Sequence, residues 1–282
     1  MVELRVKPKI DIAFKKIFAD NPDLLKTLLE KALDLDNIKI LKLKPNEITP
    51  LKVNEKFCRL DIRAEIDQKE VDIEIQINER GDFRERVLYY WAAMYTHLAS
   101  GKSYDELPQT MVISFIDYNM FECSKYHSKF SVLEETRHEL LTDKLRFHFF
   151  ELKKVGDLEC AKLDIEYWLH LIRAETEDEI IELEDLPENA QLKKAIREVR
   201  RLNADHKFIT EVEAREVQLR EEYSALSSAE RKGKKEGRIE GRIETLAQNV
   251  NALLAAMPLE EIRSILKISD EDMGAIRPIL NH

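Results

Sequence analysis

Apolar and polar residues alternate twice between residues 60 and 77, with a short polar break between the two runs. In residues 62–66, and again in residues 71–77, every second side chain is apolar. A period of two places the apolar side chains on one face of a strand and the polar side chains on the other. Since only residues 67–70 separate the runs, the pattern predicts a β-hairpin.

The polar face of this predicted hairpin carries several carboxylates. Asp61 precedes the first run, Asp72 and Glu74 lie two positions apart in the second, and Gln76 follows them. Carboxylates on one face repel each other unless a cation lies between them, and Mg²⁺ binds one or two carboxylates together with water and phosphate oxygens. The face is therefore either the solvated side of an ordinary half-buried sheet or a metal site.

Helical periodicity flanks the hairpin on both sides, and both flanking segments carry polar groups. Residues 9–31 predict a helix, a turn and a second helix. Asp11 at the start of the first helix is either a helix-stabilising acid or an active-site acid. Residues 81–100 predict an amphipathic helix, from which Arg84 and Tyr90 would extend polar tips above the sheet.

Further segments extend the predicted sheet. Residues 110–117, TMVISFID, are nearly all apolar, which is typical of a central strand buried on both faces. The order of helix, antiparallel strands, helix, buried strand and hairpin predicts an α/β sandwich domain that ends near residue 155. The other segments with strand-like composition are residues 38–43, 48–57, 130–133 and 145–152.

Beyond residue 156 the composition becomes charged and helical. Residues 156–228 predict a helical extension, with one helix at 162–173 and a long helix at 189–227. Between them, residues 175–188 contain eight acidic residues and no basic one. This composition predicts an exposed acidic stretch.

The last part of the chain, residues 229–282, predicts a basic connector and a small helical tail. Residues 230–243 contain six basic residues and three glycines, which favours a flexible connector, with a phosphate-contacting arm as the alternative. Residues 245–282 predict three short helices. The third is acidic at residues 270–272 and would repel DNA, so we expect a role in packing or in oligomerisation.

Composition narrows the class of protein. A chain of 282 residues with 44% hydrophobic and 35% charged residues suits a helix-rich globular protein. No apolar run has the length of a membrane span or of a secretory signal, so we expect a cytoplasmic location and no membrane partner. The three cysteines are widely spaced and indicate neither disulfides nor a zinc motif. The net charge of −10 argues against non-specific coating of nucleic acid.

Several segments together resemble the PD-(D/E)XK nuclease-family transposases, the group that includes the Rpn-type recombination-promoting nucleases. The pair LDIRAEID and VDIEIQ is the most specific part of the resemblance, which covers about the first 155 residues in consistent order. The resemblance implies a restriction-endonuclease-like αβββαβ core with a helical C-terminal extension. The segments are DIAFKKIF (11–18), LDIRAEID (60–67), VDIEIQ (71–76), RVLYYWAAMY (86–95) and HFFEL (148–152).

The resemblance also implies a site. Asp61 and Glu74 would bind Mg²⁺, with Mn²⁺ as an alternative, and Gln76 stands where the wider superfamily usually carries lysine. Glutamine orients water but supplies no charge. Lys15, one helical turn from Asp11, is the nearest candidate to supply that charge, and Asp11 would be a third acid.

The resulting expectation is a Mg²⁺-dependent DNA endonuclease connected with recombination or mobile elements. Its catalytic residues would be Asp61, Glu74, Gln76, Asp11 and Lys15, whereas Asp72 is interpreted as a bystander. The phosphate of the substrate would contact Arg84 and Tyr90, and the C-terminal helices would support a homo-oligomer. The alternative is an inactive nuclease fold that serves as a DNA-binding or protein-interaction module.

Overall fold

The structure, a computed structural model, describes residues 2–39, 41–48, 58–79, 81–96, 103–186 and 189–280. Residues 49–57 and 97–100, where the sequence predicts the continuation of a strand and of a helix, lie outside the described residues. Contacts divide the chain into two compact units, Met1–Glu216 and Val217–His282. The first unit includes both a sheet and the helices that follow it, and independent folding of residues 1–155 stays a prediction.

Two helices open the first unit, as the apolar periodicity predicts. Helix α1 spans Asp11–Phe18 and helix α2 spans Pro22–Leu33. Pro22 occupies the first turn of α2, where its missing N–H leaves no hydrogen bond unmade. Both helices bury one apolar stripe in the main hydrophobic core.

A six-stranded sheet forms the centre of the first unit, with strand order β1-β4-β5-β6-β8-β7. The β5–β6 and β6–β8 pairs are parallel, and the other pairs are antiparallel. Helix α3 (Phe83–Tyr95) connects β5 to the parallel strand β6, and β2 and β3 form a separate two-stranded sheet. The strands are β1 (Leu41–Lys44), β2 (Glu47–Ile48), β3 (Cys58–Arg59), β4 (Ile62–Ile66), β5 (Lys69–Gln76), β6 (Thr110–Ile116), β7 (His127–Leu133) and β8 (Leu140–Glu151).

The predicted hairpin is confirmed as the β4–β5 pair. Ile62 lies opposite Ile73, and the pairing continues to the turn. The turn is shorter than the polar break suggests, since only Asp67 and Gln68 lie outside the strands. Both have positive φ, 45° and 68°, the backbone conformation that lets a two-residue turn match the twist of its strands.

The two faces of the sheet bury two different clusters. One face contributes residues such as Ile73 and Ile113 to the core that includes α1, α2 and the later helices. The opposite face packs Val112 and Phe149 against Phe83 and other residues of α3. Strand β6 is buried along its whole length, which confirms the predicted central strand.

The polar face of β5 is buried as well, under α3. Asp72 is 0% exposed and Glu74 is 5% exposed. A solvated sheet face, one of the two interpretations of the hairpin, is therefore wrong for β5. Alternation along a strand distinguishes its two faces but does not show which later helix covers the polar one.

Helices follow the sheet, and one of them corrects a prediction. Helix α4 spans Asp164–Arg173. The sequence predicts an exposed stretch at residues 175–188, but helix α5 (Glu177–Glu184) forms there and buries Ile180 and Leu183. Apolar residues three apart provide a narrow buried stripe despite the high charge.

The long helix predicted over residues 189–227 is two helices. Helix α6 spans Ala190–Ala204 and helix α7 spans His206–Leu254. Between them Asp205 has an extended backbone, and its side chain accepts hydrogen bonds of 3.0 and 3.1 Å from backbone N–H groups in the first turn of α7. The prediction failed because an aspartate inside a helical pattern also serves as an N-cap.

The predicted flexible connector is also helical, because residues 230–243 lie within α7. Each glycine there weakens a helix by about 1 kcal/mol relative to alanine. Charged pairs four residues apart offset part of this loss, and Lys234 Nζ lies 2.5 Å from Glu230 Oε1. A run of helix-forming Lys, Arg and Glu thus outweighs the glycines.

The second unit, Val217–His282, has a small core of its own. Helices α8 (Leu259–Leu266) and α9 (Asp270–Ile276) follow the C-terminal end of α7, which confirms three helical segments in the tail. Its buried residues are Ala247, Val250, Ile262, Ile268 and Ile276. None of the helices among the described residues combines the length and apolar character that crossing a membrane requires.

Candidate functional site

Two hydrogen bonds hold Asp61 beside Glu74 and Ile75, where β4 begins and β5 ends. The backbone N–H of Asp61 donates to Glu74 Oε1 at 2.9 Å. The backbone N–H of Ile75 donates to Asp61 Oδ2 at 3.0 Å. The antiparallel register that places Ile62 opposite Ile73 sets this arrangement. The structure therefore brings together the two acids that the sequence predicts as metal ligands.

Lys15 reaches this pair from α1. Its Nζ lies 2.8 Å from Asp61 Oδ1, and the side chains of Lys15 and Asp61 are 30% and 19% exposed. Both carboxylate oxygens of Asp61 consequently contact a protein donor, one an ammonium group and the other an amide. Lys15, which is predicted as the cation of the site from its spacing to Asp11, therefore joins the site by pairing with Asp61.

Asp72 lies deeper on the same strand and was not assigned a role from sequence. It is fully buried, and among the described residues no N–H group donates to either of its carboxylate oxygens. Burial raises the pKa of Asp72 well above its usual range, and the charge of Asp61 raises it further. Its side chain points to the same face as Glu74 because the two are separated by one residue along a strand.

The pKa of Glu74 is also raised well above its usual range. Burial is the largest cause, followed by the charges of Asp72 and Asp61, while the Asp61 amide and the Arg86 guanidinium act in the opposite direction. Three acids in a poorly solvated place cannot all be ionised without a compensating charge. Protons or a bound cation must supply that charge.

Gln76 is held at both ends of its amide. Arg86 Nη2 donates a hydrogen bond to Gln76 Oε1, and Gln76 Nε2 donates to the carbonyl oxygen of Asn78 at 2.7 Å. The guanidinium carbon of Arg86 also lies 4.9 Å from the Phe83 ring centre and 6.0 Å from the Tyr90 ring centre. The side chain at the expected lysine position is thus paired with an arginine from α3.

Arg86, to which the sequence assigns no role, is the arginine of α3 that contacts Gln76, whereas the phosphate contact of Arg84 stays a prediction. Arg84 Nη2 donates to the carbonyl oxygen of Met120 at 2.8 Å, and its guanidinium carbon lies 5.3 Å from the Phe121 ring centre. Residues two apart on a helix point to nearly opposite sides. Arg86 is the first residue of the RVLYYWAAMY segment. That position is the sequence signal that could have pointed to Arg86.

Tyr90 is partly buried and packs against the cluster beneath α3. Its ring lies close to the guanidinium of Arg86. The structure therefore brings Tyr90 into the neighbourhood of Gln76 through Arg86, whereas it directs Arg84 to the chain segment that follows β6.

Asp11 pairs with a residue far along the chain. Arg215 of α7 donates to Asp11 Oδ2 through Nε at 3.0 Å and through Nη2 at 2.7 Å. Asp11 Oδ1 also accepts the backbone N–H of Ile12 at 2.9 Å. In the part of the chain that the structure describes, Asp11 contacts its own helix turn and α7, and Lys15 is the residue of α1 that pairs directly with Asp61.

The donor set fits a hard divalent cation in its chemistry. In the ranges that the structure describes, no group of three or more His, Cys, Asp or Glu side chains has a metal-holding arrangement. Asp61 and Glu74 form the smaller two-carboxylate set, and oxygen ligands of this kind suit Mg²⁺ and Mn²⁺. The unpartnered buried oxygens of Asp72 beside them are the observation that calls for a compensating positive charge.

A comparison with models of protein families gives a match. The family model described as PD-(D/E)XK nuclease family transposase matches residues 8–229. The mixed α/β architecture and the mostly antiparallel six-stranded sheet are consistent with that match. Searches of curated proteins and of solved structures gave no significant match.

Proposed function

Because the chain belongs to the PD-(D/E)XK nuclease family transposases, we propose that it is a divalent-metal-dependent DNA endonuclease. Its reaction is the hydrolysis of a phosphodiester bond, in recombination or in the movement of mobile elements. The observation that carries this proposal is the placement of Asp61 and Glu74, which hydrogen bonds through the backbone hold side by side.

The order of elements around the acids supports the proposal. Two helices precede three strands, β1, β4 and β5, which pair antiparallel, and α3 then connects β5 to the parallel strand β6. This order is compatible with the αβββαβ nuclease core that the resemblance implies, with one additional helix before the strands and the short strands β2 and β3 between β1 and β4. The acids lie at the β4–β5 hairpin.

Each residue of the site has a proposed role. Asp61 and Glu74 hold Mg²⁺ or Mn²⁺, which lowers the pKa of water and offsets the negative charge of the phosphate. Lys15 orients the carboxylate of Asp61 through its ion pair. Gln76 orients the attacking water through its amide. Asp11, Arg84 and Tyr90 keep their predicted roles as a third acid and as phosphate contacts, although Asp11 and Arg84 contact other partners here.

Nicking of supercoiled plasmid tests the proposal. Purified protein should nick plasmid with Mg²⁺ and should stop when EDTA is added. Asp61→Asn and Glu74→Gln keep the size of each side chain and remove its charge, so both should lower the rate by about a hundredfold or more. Glu85→Gln is the matched control, because Glu85 is an exposed acid on α3. Equal nicking by all four proteins, or none by any of them, rejects the proposal.

A second candidate function is an inactive nuclease fold that binds DNA or a protein. The observation that favours it is the engagement of both Asp61 oxygens by protein donors, together with glutamine at position 76. This candidate requires DNA binding without hydrolysis, and binding that Glu74→Gln leaves unchanged. Oligomerisation through the C-terminal helices stays a prediction under either function.

A further inference from the structure

The pairing of Arg86 with Gln76 leads to a specific role for an arginine on α3. A phosphodiester is anionic, and its charge becomes concentrated on oxygens during hydrolysis. A site made of carboxylates therefore needs positive charge from the protein as well as from metal ions. This positive charge must come from one of the cations near Asp61, Glu74 and Gln76.

Most of the neighbouring cations are already paired with carboxylates. Lys15 pairs with Asp61. Lys44 and Arg63, on the adjacent strands, both pair with Glu70. Their charges are neutralised locally and contribute little to an incoming anion.

Arg86 differs from them because its partner at the site is a neutral amide. Within the described part of the chain, no carboxylate forms an ion pair with Arg86, and its hydrogen bond is to Gln76 Oε1. Among the described residues, the buried Arg86 Nε has no hydrogen-bond partner. The guanidinium therefore keeps a free donor there, and its charge acts on the Glu74 carboxyl without a direct ion pair.

The helix holds this charge in a defined place. Phe83 and Tyr90, three residues before Arg86 and four after it, lie on the same side of α3, with ring centres 4.9 and 6.0 Å from the guanidinium carbon. Attraction between the cation and the ring faces restricts the arginine side chain. The hydrogen bond from Arg86 then fixes the side-chain amide of Gln76, whose nitrogen donates to the carbonyl oxygen of Asn78.

We propose that Arg86 is the positioning residue of this site: it orients Gln76 and supplies the positive charge that an anionic phosphodiester requires. This inference rests on the proposed nuclease function and deepens it. The pair Gln76 and Arg86 then does together what a single lysine at position 76 would do, since the amide orients water and the guanidinium carries the charge.

Four variants test the role of Arg86. Arg86→Met removes the charge with little change in length, and Arg86→Lys keeps the charge but not the planar fork. Arg137→Met is the matched control, since Arg137 is an exposed arginine in the turn between β7 and β8. In the double variant Gln76→Lys with Arg86→Met, the charge returns at position 76. Nicking kinetics are measured for all of them, with thermal unfolding to show that each is folded.

We expect Arg86→Met to lower kcat by about a hundredfold, the usual effect of removing one charge-stabilising donor, and Arg137→Met to change it by less than about threefold. Arg86→Lys should retain an intermediate rate. The double variant should recover at least about tenfold over Arg86→Met, because lysine brings back the charge. A merely structural role for Arg86 predicts no such recovery. An unchanged kcat in Arg86→Met, or no recovery in a folded double variant, overturns the proposal.

A binding measurement separates this inference from the proposed function. Fluorescence anisotropy of a labelled DNA duplex in Ca²⁺ reports affinity without requiring hydrolysis. Arg86→Met should weaken binding at least about fivefold relative to Arg137→Met, since a positive charge at the site is lost. If wild type does not nick, the nuclease proposal fails, and equal affinity of these two variants then overturns the role of Arg86 as well.

Discussion

The backbone amide of Asp61 donates to the carboxylate of Glu74, so the first acid of the hairpin holds the second through its main chain and not through its side chain. Exchanging the Asp61 side chain leaves this hydrogen bond in place. Exchanging Glu74 for glutamine retains an acceptor for it. The two conservative variants therefore remove charge from the site while they preserve the contact that orders it.

Asp72 makes the metal-free protein less stable as the pH rises. The pKa values of Asp72 and Glu74 are raised above their ordinary values of 3.8 and 4.5. The folded state then binds more protons than the unfolded state, and the free energy of unfolding falls as the pH increases above those ordinary values. Asp72→Asn should remove part of this slope and raise the stability at pH 8 by roughly 1–3 kcal/mol.

Urea unfolding at pH 5 and pH 8 in EDTA measures the effect of Asp72. Asp82→Asn, at an exposed position before α3, is the control and should leave the difference between the two pH values unchanged. If Asp72→Asn has a lower free energy of unfolding than wild type at pH 8, the buried carboxylate does not destabilise the folded protein.

A histidine pair produces the opposite trend at acid pH. His127 Nε2 and His148 Nδ1 lie 3.1 Å apart on β7 and β8. Burial lowers their pKa values from 6.5 to about 4 and about 3. The unfolded state therefore binds protons that the folded state excludes, and stability is lost as the pH falls from 6.5 towards 4, by up to about 1.4 kcal/mol per pH unit for each histidine.

His148→Gln should lower the number of protons taken up on unfolding at acid pH by about one, and the slope of the unfolding free energy against pH should fall accordingly. Unfolding by urea at pH 4.5, 5.5 and 6.5 measures it, and the exposed His206→Gln serves as the control. If His148→Gln and His206→Gln have the same slope as wild type, the pair is not the origin of the acid sensitivity.

Lys15 should matter for activity more than for stability. Its pair with Asp61 is partly exposed, and such pairs contribute at most about 1 kcal/mol. Lys15→Gln should nevertheless lower nicking about tenfold or more, because the orientation of Asp61 is lost. Lys16→Gln is the matched control, since Lys16 pairs with the exposed Asp20. Equal nicking rates for the two variants would contradict a role for Lys15.

Arg215 and Asp11 should stabilise the folded protein through one shared contact. Their two-point contact joins α7 to the first turn of α1. We expect Asp11→Asn and Arg215→Gln to lower the free energy of unfolding by similar amounts and the double variant to lower it no further, because each change breaks the same contact. A loss of nicking in Asp11→Asn that Arg215→Gln does not share would instead identify Asp11 as a site acid.

The sequence was most informative where local periodicity decides the structure. Alternation located β4 and β5, and the uninterrupted apolar run located β6. The two acids of the hairpin followed from the same pattern, because strand register brings residues near the open ends of a hairpin together. Their family role came from the resemblance and not from periodicity.

The remaining features depend on contacts between distant segments. Burial of Asp72 requires α3 to cover β5, and no local pattern states which face a helix covers. The choice between Arg84 and Arg86 requires the rotational phase of α3 relative to the sheet. The partner of Asp11 lies 204 residues away. Packing, not propensity, determines each of these.

Binding of Mn²⁺, followed by its electron paramagnetic resonance signal, tests most directly whether Asp61 and Glu74 form a metal site. We expect wild type and the Glu85→Gln control to remove Mn²⁺ from solution with the same affinity. Asp61→Asn and Glu74→Gln should each weaken that binding by about tenfold or more. Unchanged Mn²⁺ binding in folded Asp61→Asn and Glu74→Gln proteins would show that these two acids do not form a metal site.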